Sequence, residues 1–520
     1  MNAPPQQMSH KQIMEALSGL LLVLFVAMIS ATIVSVALPQ IIGALNGTQS
    51  QYTWVVTASL LASTASTPIW GKLADLFSKK LLLQLSIVIF MVSSLACGFA
   101  QDTGQLIAFR AVQGLGMGAL QVLVQVIIAA MISPKERGRY NGYLGGVMAV
   151  ATVAGPLLGG LIADTSWLGW RWCFFIAVPF TVVAFALLQK TLKTVDVRRA
   201  GVKVDYVGAT LIAAGVSVLL IWVTFVGNSF DWLSWQTAAM VLGGVVLLAL
   251  ATWVETRVKE PVVPLHVVRR RTPALAILAS LAVGMAMFGG SVFLGQYFQI
   301  GRGYSPTEAG LLTIPMMLGV LVSSTVTGRM ISKSGNVKPY IVVGSAVLTV
   351  GFLGLATMDH ETSLVFISVA MVLVGAGVGM SMQNLVLAIQ NTVPLRELGA
   401  ASGAVTFFRS LGGTIGVSVL GAVLANQVAA AIKEGLAKVG IDAAGAAGGS
   451  STLNIAALPE PVAAVVRAAY GDATGHIFLI SAAIAVVGLI ATLFLKPVKL
   501  RDSLDLPAPV ADGKTPARRT

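Results

Sequence analysis

Read only for polar and apolar positions, the chain is a succession of apolar runs of roughly twenty residues, the helix length that a ~30 Å hydrocarbon layer demands. Fourteen runs are centred near Phe25, Ala62, Phe90, Met117, Ala151, Thr181, Val216, Val245, Gly284, Leu318, Leu348, Leu373, Gly413 and Ile484. Most breaks between them are short, so tightly connected helices without a large soluble domain are predicted. The first run follows Lys11 and resembles a signal peptide, but the spans behind it favour an uncleaved first helix. The expected architecture is an all-α polytopic membrane protein.

Three breaks are longer. "KTLKTVDVRRAGVKVD" (190–205) and "ETRVKEPVVPLHVVRRRTP" (255–273) are basic linkers enclosing one hairpin, spans seven and eight. The third, about 426–473, is Ala- and Gly-rich around "IDAAGAAGGSSTLN", with helical stretches on either side. An internal repeat supports a 6+2+6 plan. "GLGMGALQVLVQ" leads to "SPKERGRYNG", and "GAGVGMSMQNLV" leads to "VPLRELGAASG" about 260 residues later. "GKLADLFSKK" and "GRMISKSGNVK" recur at a similar offset. The expected organisation is a six-helix half at 1–190, a linker with the hairpin at 191–272, a second half at 273–496, and a disordered polar tail at 497–520. Paired halves place a substrate site near the midplane between them.

Composition agrees: 56% of the 520 residues are hydrophobic, 11% are charged, and mean hydropathy is +0.85. That leaves too little polar surface for a soluble protein. With the N-terminus inside, 27 of the 34 Lys and Arg fall on the cytoplasmic side, as topology rules require. The net charge of +13 therefore reflects topology and lipid contact, and no soluble domain exists to bind nucleic acid. Cys97 and Cys173 lie in spans as small packing residues. His10, His266, His360 and His476 are scattered over distant segments. No metal cluster, nucleophile constellation or Walker loop is visible, so no cofactor, metal or ATP is expected, and an enzyme is the remote alternative. A receptor or scaffold is disfavoured by the repeat.

Three segments together resemble the major facilitator superfamily, in its fourteen-span drug:proton antiporter branch. "LIAFRAVQGLGMGA" is similar to the fourth-span motif through Arg110, Gln113, Gly114 and Gly116. "GKLADLFSKKLLL" resembles the loop 2–3 signature through Gly71, Leu73, Ala74, Asp75, Lys79 and Lys80, but has Leu76 for the usual Arg and Ser78 for the usual Gly. "YNGYLGGVMAVATVAGPLLGGLIAD" (140–164) resembles the span-5 antiporter motif through Gly142, Gly155, Pro156, Gly159 and Gly160, with Ala151 for one Gly. The resemblance implies a major facilitator fold and multidrug efflux by alternating access. It also implies a bacterial inner-membrane location, cytoplasmic termini and proton coupling. A monomer is expected.

The resemblance also implies roles. Gly155, Pro156 and Gly159 would gate by close helix packing, since small residues let backbones touch in lipid; simple packing is the plain alternative. Asp75 would latch onto a neighbouring helix N-terminus when the outer side is open, the alternative being a solvated basic turn. Arg110, costly at mid-helix, would couple protonation to transport unless it snorkels. Arg409 is near even between function and snorkelling. In the first span Ser30 replaces the family's acid and Ser35 its Asn, so the usual proton carrier is absent. Glu308, opening span ten near the outer mouth, is the substitute candidate if desolvation raises its pKa, against a plain helix-start carboxylate.

The expected substrate lining is uncharged and adaptable: Gln121 and Gln125 on span four, Phe288, Phe293, Gln296 and Tyr297 on span nine with its outer end, Met380, Gln383 and Asn384 on span twelve. Met287 and Met382 extend these faces. Such surfaces re-pack around varied ligands, which favours a small hydrophobic substrate, cations included, although the missing acids weaken the case for cations. The runner-up is a transporter of one metabolite, lipid or peptide driven by another gradient.

Overall fold

A computed structural model describes residues 10–46, 49–165, 169–192, 205–227, 230–258, 261–263, 265–438, 459–497 and 499–501. Fourteen long helices dominate it. The first six are α1 (His10–Ala44), α2 (Gln49–Leu76), α3 (Lys79–Gly98), α4 (Thr103–Met131), α5 (Pro134–Asp164) and α6 (Ala177–Thr191). A hairpin of α7 (Tyr206–Phe225) and α8 (Trp235–Glu255) follows. The last six are α9 (Arg271–Gln296), α10 (Ile314–Ser334), α11 (Lys338–Ala356), α12 (Leu364–Gln390), α13 (Leu398–Lys438) and α14 (Glu460–Leu493).

Among the described residues, thirteen helices are long and apolar enough to cross a membrane. The remaining one, α2, has the length at 28 residues, but its eight serines and threonines dilute its apolar character. The fourteen spans read from the sequence are thus present as helices. Their boundaries follow local chemistry. Asp102 caps α4 by accepting from the Gln105 amide at 2.8 Å, and Ser234 caps α8, as short polar side chains do at helix starts. Gly335 ends α10 with φ of 67°, a left-handed stop that costs glycine nothing.

Helices α1–α6 pack on one another, chiefly α2 and α3 on α4 and α1 on α5; α9 packs on α13, and α12 on α10 and α11. Two seams join the groups: α2 lies along α13, and α5 along α10. The α7–α8 hairpin covers the first seam. Val216 and Leu220 pack with Ala65 of α2 and Phe407 of α13, and the Trp54 and Phe225 rings lie 4.9 Å apart. No comparable hairpin covers the α5–α10 seam among the described residues. Large apolar side chains such as Leu81, Val92, Leu242 and Val365 remain exposed, as the lipid-facing side of a membrane bundle requires.

The long loop is partly helical, as expected. At 1.5 Å per residue, the 41 residues of α13 and 34 of α14 run to ~62 and ~51 Å, beyond a ~30 Å hydrocarbon core. Leu436 and Ala463 are buried where these extensions meet; residues 439–458 lie outside the described residues. The tail departs from expectation. Lys499–Arg501 is packed, with Leu500 buried and its amide donating to the Gly335 carbonyl at 2.8 Å. Reading 497–520 as disordered on polarity missed these three residues, whose partners are backbone groups and the Asn391 side chain far away in sequence; residue 498 and residues 502–520 lie outside the described residues.

Candidate functional site

The end of the bundle that carries most basic residues is closed, and Asp75 is part of the closure. It sits at the end of α2, where its Oδ1 accepts the Gly399 amide at 2.7 Å and its Oδ2 accepts the Ala400 amide at 2.8 Å. Both amides belong to the first turn of α13, so the carboxylate occupies the positive end of a helix dipole and satisfies two otherwise orphaned donors. The approach requires small residues: a Cβ on Gly71 would press on the Gly399 carbonyl, and one on Gly399 would overlap Gly71.

The other seam closes differently. The Arg137 guanidinium on α5 is buried and donates through Nη1 to Gln390 Oε1 of α12 at 2.8 Å; Gln390 Nε2 donates on to Ser402 Oγ of α13 at 2.8 Å. Arg137 also donates to the Ile132 and Ala129 carbonyls, at 2.9 and 2.7 Å. Beside it Gly138 meets Gly328 backbone to backbone, and Gly142 meets Thr325. The tail crosses the same end: the Arg501 carbonyl accepts from the Lys135 amide at 3.3 Å, and its guanidinium donates to the Val393 carbonyl at 2.9 Å. Motif reading missed Arg137 and the tail. The signal was in "SPKERGRYNG", where one of several loop basics turns inward.

Arg110 does not snorkel. It is 4% exposed; its Nε donates to the Val55 carbonyl of α2 at 3.3 Å and its Nη1 to Gln113 Oε1 at 2.6 Å. Gln113 Nε2 donates in turn to Ser94 Oγ of α3 at 2.6 Å. The arginine therefore ties α2, α3 and α4 together. Gly155 packs against Thr32 of α1, whose hydroxyl donates to the Ala151 carbonyl at 3.4 Å. Gly159 is buried on the same helix, while the side chain of Pro156 lies outside the described residues. These glycines lie in the half of α5 away from the basic end; there the seam is closed by Gly138 and Gly142.

Buried polar atoms without partners mark the interior: Ser30 Oγ, Gln125 Oε1, Ser280 Oγ, Asn384 Oδ1, Thr406 Oγ1 and both Nη atoms of Arg409. They come from α1, α4, α9, α12 and α13, so both helix groups contribute. Buried polar groups in native proteins are otherwise paired; such orphans need water or a ligand. Arg409, 2% exposed, is the sharpest case. Gln383 spans the groups, its Nε2 lying 3.9 Å from Met148 Sδ, and Asn384 Nδ2 donates to the Met380 carbonyl at 2.7 Å. Gln121, Gln296 and Met380 are half-buried. Phe288 packs on Gly413.

Three expected residues are occupied elsewhere. Phe293 and Tyr297 are buried in the α9–α14 core, and the Tyr297 hydroxyl donates to the Asp359 carbonyl at 2.7 Å. The aromatic stripe of α9 thus packs the outer end rather than the midplane. Glu308 is exposed, and its Oε2 accepts from both the Ser305 amide and hydroxyl at 2.8 Å while its amide donates back to Ser305 at 3.2 Å. This capping box leaves the carboxylate solvated, so the desolvation proposed for its coupling role is absent. Glu255, which motif reading did not single out, is buried at the end of α8 beside Asp205 and Lys72 and accepts the Val263 amide at 2.8 Å.

Comparison with known proteins gives one answer. The description Major Facilitator Superfamily matches residues 20–230 and 205–417. An uncharacterized MFS-type transporter of Mycobacterium tuberculosis is 35% identical over 94% of this chain and 70% of its own. The multidrug transporter protein MdtP of Bacillus subtilis is 31% identical, covering 93% of each chain, and the efflux pump dotC of Dothistroma septosporum is 34% identical over 93% of this chain and 84% of its own. Among solved structures, the proton:xylose symporter XylE aligns with a TM-score of 0.61 at 13% identity, covering 95% of this chain and 98% of that one; this likeness shows the fold alone. Fourteen long helices, seams closed by paired small residues and relatives of the drug-efflux type agree: the chain belongs to the Major Facilitator Superfamily.

Proposed function

We propose that this transporter exports small hydrophobic compounds by alternating access, with the basic end cytoplasmic and closed in the state described. The observation that carries this reading is Asp75 on the first-turn amides of α13, backed by Arg137 on Gln390. Both join α1–α6 to α9–α14 through a few polar contacts set among glycine pairs, which separate without exposing a large apolar face. Above them the unpaired atoms of Ser30, Gln125, Asn384 and Arg409 supply an interior that a substrate or water must satisfy. The termini then face the cytoplasm of a plasma membrane, and protons are the proposed counter-ion.

Arg409 favours a second reading of the substrate. An unpaired buried guanidinium repels cations and attracts anions, so weakly acidic or neutral hydrophobic compounds fit this interior better than lipophilic cations. The test is reconstitution in sealed liposomes under an imposed pH gradient without a membrane potential, comparing an ethidium-like cationic dye with an anionic one. Gradient-driven movement of either supports proton-coupled export, and faster movement of the anion supports the second reading. Movement indifferent to the gradient sinks proton coupling.

A further inference from the structure

A groove of about 890 Å³ lies along the α5–α10 seam, with α1 as its third wall. It is no part of the interior. On α5 the groove is lined by Arg139, Tyr143 and Val150, all exposed, whereas Arg137, Leu144 and Met148 are buried on the opposite face of the same helix. The lining of α10 likewise lies beside exposed Val322 and Val326. The groove therefore opens sideways, where the bilayer lies.

Its two ends differ in chemistry. At the basic end sit Arg139 near the start of α5 and Arg329 and Lys333 in the last two turns of α10. No hydrogen bond or ion pair holds any of these three among the described residues. Ser332 also lines this end, and its hydroxyl is buried without a partner. Deeper in, the walls are apolar, with Phe25, Val150 and Leu321. From Arg139 to Val150 the helix rises ~16 Å, close to one leaflet of a ~30 Å hydrocarbon core.

We propose that this groove seats a phospholipid with an anionic headgroup from the cytoplasmic leaflet. Its phosphate lies between Arg139 on one side of the seam and Arg329 and Lys333 on the other, with the Ser332 hydroxyl as an added donor. An acyl chain runs along Tyr143 and Val150. Three unpaired cations facing apolar walls one leaflet long match a lipid better than a soluble anion, which has no use for the walls. The volume also suits part of a lipid, within the ~300–1,000 Å³ of small-molecule sites. A lipid here bridges both helix groups on the seam that the α7–α8 hairpin leaves uncovered, and it holds that seam in its closed register. The leaflet assignment rests on the orientation proposed above; the binding itself does not.

The test needs no flux. The purified full-length protein is titrated with fluorescent phosphatidylglycerol in neutral detergent micelles. The triple variant Arg139→Gln/Arg329→Gln/Lys333→Gln is expected to bind roughly a hundredfold more weakly, about fivefold per charge. Arg139→Lys/Arg329→Lys, which keeps the charges, stays within about threefold. Arg269→Gln/Arg270→Gln, at an exposed basic turn elsewhere, changes binding little and controls for general surface attraction. The triple variant is scored only as monodisperse protein; if it is not, the single variant Arg139→Gln, expected to bind about fivefold more weakly, reports on the site, and unchanged binding there overturns the proposal. Unchanged binding in the triple variant overturns the proposal, as does equal binding of phosphatidylcholine. Full competition by millimolar glycerol phosphate or inorganic phosphate overturns the lipid assignment in favour of a soluble anion.

Discussion

Asp75 and Gly399 are 324 residues apart in sequence and 2.7 Å apart in space, joined by a hydrogen bond from a helix-start amide to a carboxylate oxygen. The bond connects the first helix group to the second at the basic end, and the adjacent Ala400 amide doubles it. Charge-assisted bonds of this kind contribute roughly 1.5–3 kcal/mol, enough for two of them to bias the open–closed equilibrium of the proposed cycle.

Replacing Asp75 by Asn keeps the shape and removes the charge. The amide still offers one acceptor but turns a donor toward a second donor. Asp75→Asn is expected to shift the closed-to-open ratio at this end by about tenfold or more. Cysteine reactivity at Ser402, buried behind the latch, checks this with Cys97 and Cys173 replaced. Unchanged reactivity argues against the latch.

Gly138 and Gly328 meet so closely that a Cβ on Gly328 overlaps the Gly138 carbonyl. Gly328→Leu is expected to hold the α5–α10 seam apart while leaving each helix group folded. Distances between spin labels on Lys135 and Ser334 should lengthen. A distribution identical to the unmodified pair removes the seam from the closing mechanism.

Arg110 sits in a buried network that ties three helices together. Arg110→Met removes the extra donor to the Val55 carbonyl of α2 and leaves Gln113 Oε1 without one, costing roughly 1–3 kcal/mol for that buried orphan. Arg110→Met and Gln113→Leu are expected to couple strongly in a double-mutant cycle, because one network loses both members. Thermal stability measures this, and flux per folded molecule shows whether Arg110 does more. Additive losses contradict the shared network.

Glu308→Gln separates capping from coupling. With the carboxylate exposed in a capping box, the change is expected to keep the cap, since Gln serves at that position as Glu does, and leave gradient-driven flux within roughly twofold. Abolished flux with an intact fold returns proton coupling to this residue.

On the opposite surface, His360 Nδ1 lies 2.8 Å from Asp472 Oδ1, linking the α11–α12 turn to α14. That hydrogen bond, aided by the nearby carboxylates, outweighs partial burial and raises the His360 pKa above its usual 6.5. A raised histidine pKa stabilises the folded state fully below about 6.5, and the contribution fades as pH rises through the folded value. The stability gap between wild type and His360→Gln should thus be larger near pH 5.5 than near pH 9. A gap independent of pH denies the clasp.

Much of this protein was readable from its residues. Runs of twenty apolar side chains specify spans because lipid leaves backbone groups no partner outside a helix, and the similar offset of "GKLADLFSKK" and "GRMISKSGNVK" pointed to a 6+2+6 plan. Asp75 was singled out by its place in "GKLADLFSKK", the segment that resembles the loop 2–3 signature. The sequence could not say that Arg137 turns inward while Arg139 turns out, since two residues on a helix differ in facing by about 200°, and only packing decides which face is interior. It also left Arg110 between snorkelling and burial, and Glu308 between desolvation and capping, until neighbours from other helices were in place. Periodicity and solvent fix the elements; partners hundreds of residues away decide what each charge does, because an electrostatic role depends on distance and burial that the chain acquires only on packing.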